Sequence, residues 1–257
     1  VDLTEEQWAL IEPLFPEKET IREGVRGRPY RDPRDVLYGV LWVLRTGAPW
    51  KDLPSRYPPY QTCHRRFQGW VRDGTIEKIL RSLAEHLRRR GKLDLTEAFI
   101  DGTHACRCKK GGPLVGRTRR GLATKIMVIS DRSGLPVAAR IASGPRNEQK
   151  LVVETIDARF TKALPRLLIG DKAYDSDPLD AELKQRGIEL VAPHHPRRNR
   201  KTQDGRRLRR YRRRWHVERL IAWLLRHRRV HTRYEHKAGN FMGFVWLACV
   251  RILIRHL

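Results

Sequence analysis

The hydrophobic period of this chain changes once, near residue 92, and that change limits the folds open to it. Up to that point the apolar residues recur at helical spacing. Thr4, with Gln7 three residues on, has the spacing of a capping box, and Trp8, Ile11, Leu14 and Phe15 follow on one face until Pro16. Asp32-Pro33 opens a second helix, in which Val36, Leu37, Val40, Leu41 and Leu44 share a face and Gly47 marks the end. After a turn at Asp52-Leu53-Pro54, third and fourth helices are predicted over residues 60–71 and 76–87, separated by Asp73-Gly74. Residues 88–91 read as a linker.

Beyond the linker the pattern is that of strands. Residues 95–101, 123–129 and 136–141 predict an antiparallel meander, with a turn at 131–134. A helix over 147–160, a strand over 166–170 ending at Asp171, a helix over 178–186 and a strand over 188–191 follow. A long basic segment leads into closing helices. The order βββαβαβα gives a layered α/β domain. Two domains are expected in the 257 residues: an all-α one over 1–92 and the α/β one over 93–257.

Charge limits the partners. Lys and Arg number 54 against 29 Asp and Glu, a formal net charge of +25, and such self-repulsion points to a polyanionic partner. Arginine outnumbers lysine 41 to 13, and a guanidinium grips phosphate in two-pronged fashion; GC-rich codon usage accounts for part of that bias. Between Arg197 and Arg233 there are sixteen basic residues and two acids, Asp204 and Glu218, so this window holds +14 of the +25. Trp215, Leu220, Trp223 and Leu224 interleave there, predicting a helix with one face packed and a basic stripe on the other. The longest apolar run, 241–250, is too short for a membrane span and is expected to form a packed helix. With no signal sequence at its start, the chain is expected in the cytoplasm, on the nucleoid.

The four cysteines, Cys63, Cys106, Cys108 and Cys249, lack zinc or redox spacing and read as reduced thiols. His194-His195, bracketed by prolines, reads as a loop near phosphate, with metal ligation as the alternative. In the helical region, residues 35–46 and 60–71 are candidate helix-turn-helix partners. The second of these carries Gln61, His64, Arg65 and Arg66, types that contact base edges and phosphates, and Arg28 sits on an arm suited to a minor groove.

Acids are scarce, so an acid closing an apolar strand carries weight. Asp101 follows Phe99-Ile100, and Asp171 follows Leu168-Ile169-Gly170. If their strands are neighbours, the two carboxylates meet, and two adjacent anions need a cation. Magnesium favours one or two carboxylates plus phosphate oxygens, and Glu218 can supply a third carboxylate.

On these motifs the chain resembles the DDE transposases of bacterial insertion sequences, most closely insertion sequence family five. Leu3-Thr4-Glu5-Glu6-Gln7-Trp8, Gly27-Arg28-Pro29, the run from Arg45 to Pro54 and Tyr60-Gln61-Thr62 are similar to that family's N-terminal region. Ile100-Asp101-Gly102-Thr103 resembles the first catalytic strand and Asp171-Lys172-Ala173-Tyr174-Asp175-Ser176 the second Asp motif. Tyr211, Arg214 and Glu218 stand as the tyrosine, arginine and glutamate of the family's signature. The signature's closing lysine falls on Leu225, with Arg226, Arg228 or Arg229 nearby as replacements, and no catalytic role is assigned to Glu148.

The resemblance implies an RNase H-like catalytic domain after a helix-turn-helix-like DNA-binding domain. It implies transposon-end cleavage and joining of 3′-hydroxyl ends to target DNA by two-metal in-line phosphoryl transfer. Asp101, Asp171 and Glu218 are then catalytic and metal-holding, with two Mg²⁺ ions for which Mn²⁺ can substitute. DNA contacts are expected from Arg28, Gln61, His64, Arg65, Arg66, Lys125, Lys172, Tyr211, Arg212, Arg213, Arg214 and Arg226, and a homo-oligomer is expected on the paired ends. The alternative is a catalytically inactive, transposase-derived DNA-binding protein or repressor.

Overall fold

The computed structural model describes residues 3–16, 30–107, 112–119, 121–194 and 209–257. Four helices come first: α1 (Glu5–Ile11), α2 (Pro33–Thr46), α3 (Tyr60–Arg72) and α4 (Thr75–Arg89). The capping box forms: Thr4 Oγ1 accepts the Gln7 N–H, and Gln7 Oε1 accepts the Thr4 N–H. Helix α1 stops at Ile11 rather than running to Pro16. Pro13 has no N–H for an α-helical bond, so residues Glu12–Leu14 tighten into a 3₁₀ turn. Helix α2 starts where Asp32 accepts the Arg34 N–H and ends where Gly47 takes a left-handed φ of 70°. The short turn expected at residues 52–54 is a 3₁₀ turn over Trp50–Asp52.

The rest is a seven-stranded mixed sheet with helices. Strands β1 (Ala98–Arg107), β2 (Gly116–Thr118), β3 (Gly121–Asp131) and β4 (Pro136–Ser143) precede α5 (Val152–Asp157). Then come β5 (Leu167–Ile169), α6 (Asp177–Gln185), β6 (Glu189–Val191), α7 (Trp215–Leu225), α8 (Arg228–His231), β7 (Thr232–Arg233) and α9 (Ala238–Ile254). The sheet runs β2-β3-β1-β5-β6, with β4 also on β3 and β7 on β1. The meander β1-β3-β4 is antiparallel, and β5 and β6 are added in parallel.

Three expectations change. Strand β1 starts at Ala98, because the Asp94 carboxylate accepts the Thr96 N–H and holds residues 94–96 in a turn. It continues to Arg107 through pairing with β3 and β7, which leaves Asp101 inside the strand and not at its end. The helix expected over 147–160 contracts to a 3₁₀ turn (Gln149–Leu151) and α5. Arg159 bridges to Ala138 and the Phe160 N–H bonds to the Val137 carbonyl, so β4 captures the backbone that would have continued the helix. Strands β2 and β7, of three and two residues, are too short to leave a period in the sequence.

One hydrophobic cluster runs from Trp8 to Ile254. Its hub is α9, which packs on α4, α3, α2 and β4 and is buried on nearly all sides. Among the described residues no helix is long and apolar enough to cross a membrane. Cys63, Cys106 and Cys249 are free thiols, and Cys108 lies outside the described residues. Helix α9 approaches α3 closely at Gly243: the Phe67 and Phe244 rings stack at 4.4 Å, and a Cβ on Gly243 would lie 2.4 Å from Val71 Cγ2. Alanine gains up to about 1 kcal/mol over glycine in helix propensity, but overpacking against a stiff β-branched side chain costs about 1–3 kcal/mol. Gly243→Ala is therefore expected to lower the urea midpoint at unchanged m-value; an equal or higher midpoint would show that the two helices are not in contact there.

Candidate active site

The parallel pairing of β1 with β5 sets the site. Ala98 is abreast of Leu168 and Phe99 of Ile169, so Asp101 and Asp171 each follow two residues after the last of these pairs, and both act on the Tyr174 phenol. Strand β5 ends just before Asp171. Gly170 is needed there, because a Cβ would lie 2.6 Å from the Tyr174 ring. Asp171 then caps the 3₁₀ turn Lys172–Tyr174 by accepting the Ala173 N–H at 2.8 Å.

Helix α7 delivers the third carboxylate. Residues Arg209–Arg214, five arginines and Tyr211, form a 3₁₀ segment before it, and two of the arginines hold the segment beside the sheet: Arg210 Nε and Arg213 Nη1 both lie 3.1 Å from the largely buried Glu97 carboxylate. Arg214 donates to Asp101 Oδ2 at 2.7 Å and to the Tyr211 hydroxyl at 3.1 Å, and lies 4.0 Å from Glu218 Oε1. Its guanidinium thus joins the first carboxylate to the third. Burial opposes its charge, but the Tyr211 hydroxyl and the Asp101 carboxylate outweigh that and raise its pKa. Burial pushes the Asp101 carboxyl up, further assisted by Glu148, while the Gly102 N–H and Arg214 hold it down. Glu218 itself is 60% exposed, facing solvent beside Arg214.

A fourth carboxylate, to which the sequence reading gave no catalytic role, stands next to these. Glu148 accepts Lys125 Nζ at 3.0 Å on one oxygen and the Tyr174 hydroxyl at 3.0 Å on the other. A Cβ at residue 102 would lie 2.9 Å from Glu148 Oε1, so Gly102 makes room for it against β1. Burial, then Glu148, Asp101 and Asp171, push the Tyr174 phenol up. Both Glu148 oxygens are thus occupied by partners within the protein. A sequence signal existed only in the spacing of Gly102, Lys125 and Tyr174, which has no meaning until the strands pair.

Other expected residues separate into exposed and enclosed. Lys172, Arg212, Arg213 and Arg226 are exposed, and Tyr211 is half-buried. On α3, Gln61 and Arg65 face solvent one turn apart. His64 stacks on Trp50 at 4.8 Å and bonds Gln68, while Arg66 lies over the Tyr30 ring at 4.0 Å and the Trp70 ring at 5.1 Å, so both are packed into the helical layer. Lys125, expected to meet DNA, is instead buried, its ammonium held by Glu148 and the Arg146 carbonyl. Trp215, expected on the packed face of α7, is exposed and stacks on His216 at 3.8 Å, because Val217, Leu220 and Leu224 take the buried stripe. His194 Nδ1 lies 3.0 Å from the Asp175 carboxylate. Arg28 and His195 lie outside the described residues.

A cavity of 790 Å³ opens beside β1, lined by Gly102, His104, Arg117, Arg119 and Lys125 among others. Arg117 and Arg119 are exposed on the β2 hairpin, and the sequence reading missed them because they occupy so short a strand. Among the described residues no group of three or more Asp, Glu, His and Cys side chains is gathered as a ready metal cage. Asp101 and Glu218 are hard oxygen donors that share the Arg214 guanidinium, and Asp171 follows the strand paired with β1.

The Asp101 balance yields a pH test. Its folded pKa lies above the reference value of 3.8, so protonated Asp101 favours the fold below that value, and this contribution is lost as pH rises through the folded pKa. Arg214→Gln removes a group that holds the pKa down. A carboxyl-carbon NMR titration is expected to place the Asp101 midpoint higher in the variant than in the wild type; an unchanged midpoint would mean the contact is absent in solution.

Comparison with known proteins places the chain in a family. The family described as "Putative transposase of IS4/5 family" matches residues 3–80, and the one described as "Transposase DDE domain" matches residues 93–253. The chain is 31% identical over 206 residues to the "Putative transposase for insertion sequence element IS402" of Burkholderia cepacia, covering 76% of this chain and 90% of that protein. It is 34% identical over 118 residues to the "Insertion element IS402 uncharacterized 16.2 kDa protein" of the same organism, covering 45% of this chain and 80% of that one. Among solved structures, the piggyBac transposase in its synaptic complex with hairpin DNA superposes with a TM-score of 0.52 at 13% identity, over 99% of this chain and 73% of that one. That likeness shows the fold, an RNase H-like α/β sheet with a helical N-terminal region. The chain belongs to the DDE transposases of bacterial insertion sequences.

Proposed function

We propose that this transposase cuts phosphodiester bonds at the ends of its element and joins the 3′-hydroxyl ends to target DNA, with Asp101, Asp171 and Glu218 as the catalytic carboxylates. The observation that carries the proposal is Arg214, 2.7 Å from Asp101 and 4.0 Å from Glu218, beside the β1–β5 pairing, from whose last pair Asp101 and Asp171 each stand two residues on. Two Mg²⁺ ions, replaceable by Mn²⁺, would be held by Asp101 and Asp171 with Glu218 completing one shell, and would supply charge neutralisation at the phosphate and activation of the attacking oxygen.

The chain's own residues then have defined tasks. Arg214 keeps Asp101 ionised and orients Glu218, with Tyr211 holding the guanidinium from its other side. Tyr174 and Lys125 fix Glu148 behind the site, so its charge faces Asp101 without leaving its partners. Lys172, Arg212 and Arg213 present cations at the rim, and Arg117 and Arg119 extend them along the 790 Å³ cavity, where a phosphate backbone is held by charge and not by sequence. Residues 1–92 form the DNA-reading part, with Gln61 and Arg65 on the exposed face of α3 directed to the duplex. Two ends must be held at once, so the working form is a homo-oligomer on DNA.

The test is a pair of measurements on one variant. Asp101→Asn is expected to abolish Mg²⁺-dependent nicking of an oligonucleotide carrying the element's end, a loss of at least about 10³-fold if the carboxylate acts as a charge-stabilising group. Binding of the same DNA in a gel shift is expected to stay near the wild-type level. Nicking retained by the variant would overturn the assignment.

A further inference from the structure

A second cavity lies away from the carboxylates, where three helix C-termini meet. It has a volume of 250 Å³, and four arginines line it: Arg45 from the last turn of α2, Arg226 at the end of α7, and Arg251 and Arg255 from the end of α9. None of the four makes an ion pair or a side-chain hydrogen bond among the described residues, and no acid lines the cavity. Arg226 and Arg255 are exposed, but Arg251 is only 7% exposed. Elsewhere in this protein an enclosed arginine is matched: Arg229 reaches Glu235 at 2.8 Å, and Arg214 reaches Asp101 at 2.7 Å. Burial, then Arg255 and Arg45, pull the Arg251 pKa down to about 10, as expected of like charges facing one another.

The helix ends do not balance this charge. Each C-terminus contributes about half a negative unit charge, so three offset less than half of four arginines. The Arg251 side chain is mostly buried, and its guanidinium meets the cavity without a partner among the described residues, beside the like charges of Arg45 and Arg255, so an anion entering there would complete the group. Arginine forks match phosphate oxygens in geometry as well as charge. Leu225, where the family signature has its lysine, immediately precedes Arg226.

We propose that this cavity is a phosphate site, filled by a backbone phosphodiester of the bound DNA. It lies eight residues beyond Glu218 on α7, about 12 Å along the helix axis, so a strand engaged at Glu218 can be gripped there without reaching the carboxylates. The identification of the anion as DNA rests on the transposase reading above, whereas the phosphate site itself does not.

The test uses the full chain at pH 7.5, where His227, pushed down to about 4 by burial and Arg251, is neutral. Inorganic pyrophosphate is expected to raise the melting temperature saturably, beyond NaCl of equal ionic strength. The gain should be lost in Arg226→Glu/Arg255→Glu, both exposed positions, and kept in Lys184→Glu on α6 and in Asp101→Asn. With duplex DNA, Arg226→Ala/Arg255→Ala should flatten the slope of log K against log salt by about 0.9 for one lost phosphate contact. No gain beyond NaCl, or an equal gain in the Arg226/Arg255 variant, overturns the site. A pyrophosphate gain with an unchanged DNA slope overturns its assignment to DNA. Loss of nicking activity in the wild type would instead count against the catalytic reading while leaving the pyrophosphate result intact.

Discussion

The pairing of β1 with β5 is the contact on which the functional end of the molecule depends. β1 is the only described strand hydrogen-bonded to β3, β5 and β7, and its parallel register with β5 fixes which side chains meet at the sheet's edge. A slip of one residue would turn Asp101 to the opposite face and separate it from Asp171. Buried Phe99 and Ile100, against Leu168 and Ile169, are what make that register specific. The carboxylates are thus held by an apolar pairing.

Arginine does the remaining positioning. Glu97 collects Arg210 and Arg213, Asp101 takes Arg214, and Glu235 takes Arg229, which also bonds the carbonyls of Gly47 and Ala48. The Glu97 and Asp101 pairs tie the segment before α7 to β1 and the residue that leads into it, and Arg229, held by Glu235 six residues on, ties α8 to the end of α2 through the Gly47 and Ala48 carbonyls. In a protein with this excess of positive charge, the few enclosed acids act as anchors, and most cations left over face outward, Arg251 at the helix-end cavity being an exception. This gives the +25 a structural meaning, since part of it ties elements together and part faces solvent.

Much of the site was legible beforehand. Asp101, Asp171 and Glu218 each carry a local signal, namely an acid after an apolar run or within an arginine-rich helix, and Tyr211 and Arg214 share a helical face with Glu218. Glu148 was not legible as a member of the site. Its neighbours come from β1, β3 and the turn after β5, and no local pattern joins residues 102, 125, 148 and 174. Lys125 misled for the same reason: a lysine in a strand reads as exposed until a half-buried carboxylate, Glu148, is found beside it. On α3 the residue types suggested four DNA contacts, but the helix can expose only one face, and Trp50, Tyr30 and Trp70 enclose His64 and Arg66.

What the sequence determined by itself was local: the helix caps at Thr4, Asp32 and Gly47, the change of period near residue 92, and the surplus of arginine. These follow from hydrogen bonds and spacings within a few residues, or from composition alone. Tertiary structure decided where β1 begins and ends, which acids share the site, and which arginines find partners. Those outcomes depend on strand register and on helix ends brought together from residues up to two hundred apart, where burial and like-charge repulsion act and no short stretch of sequence records them.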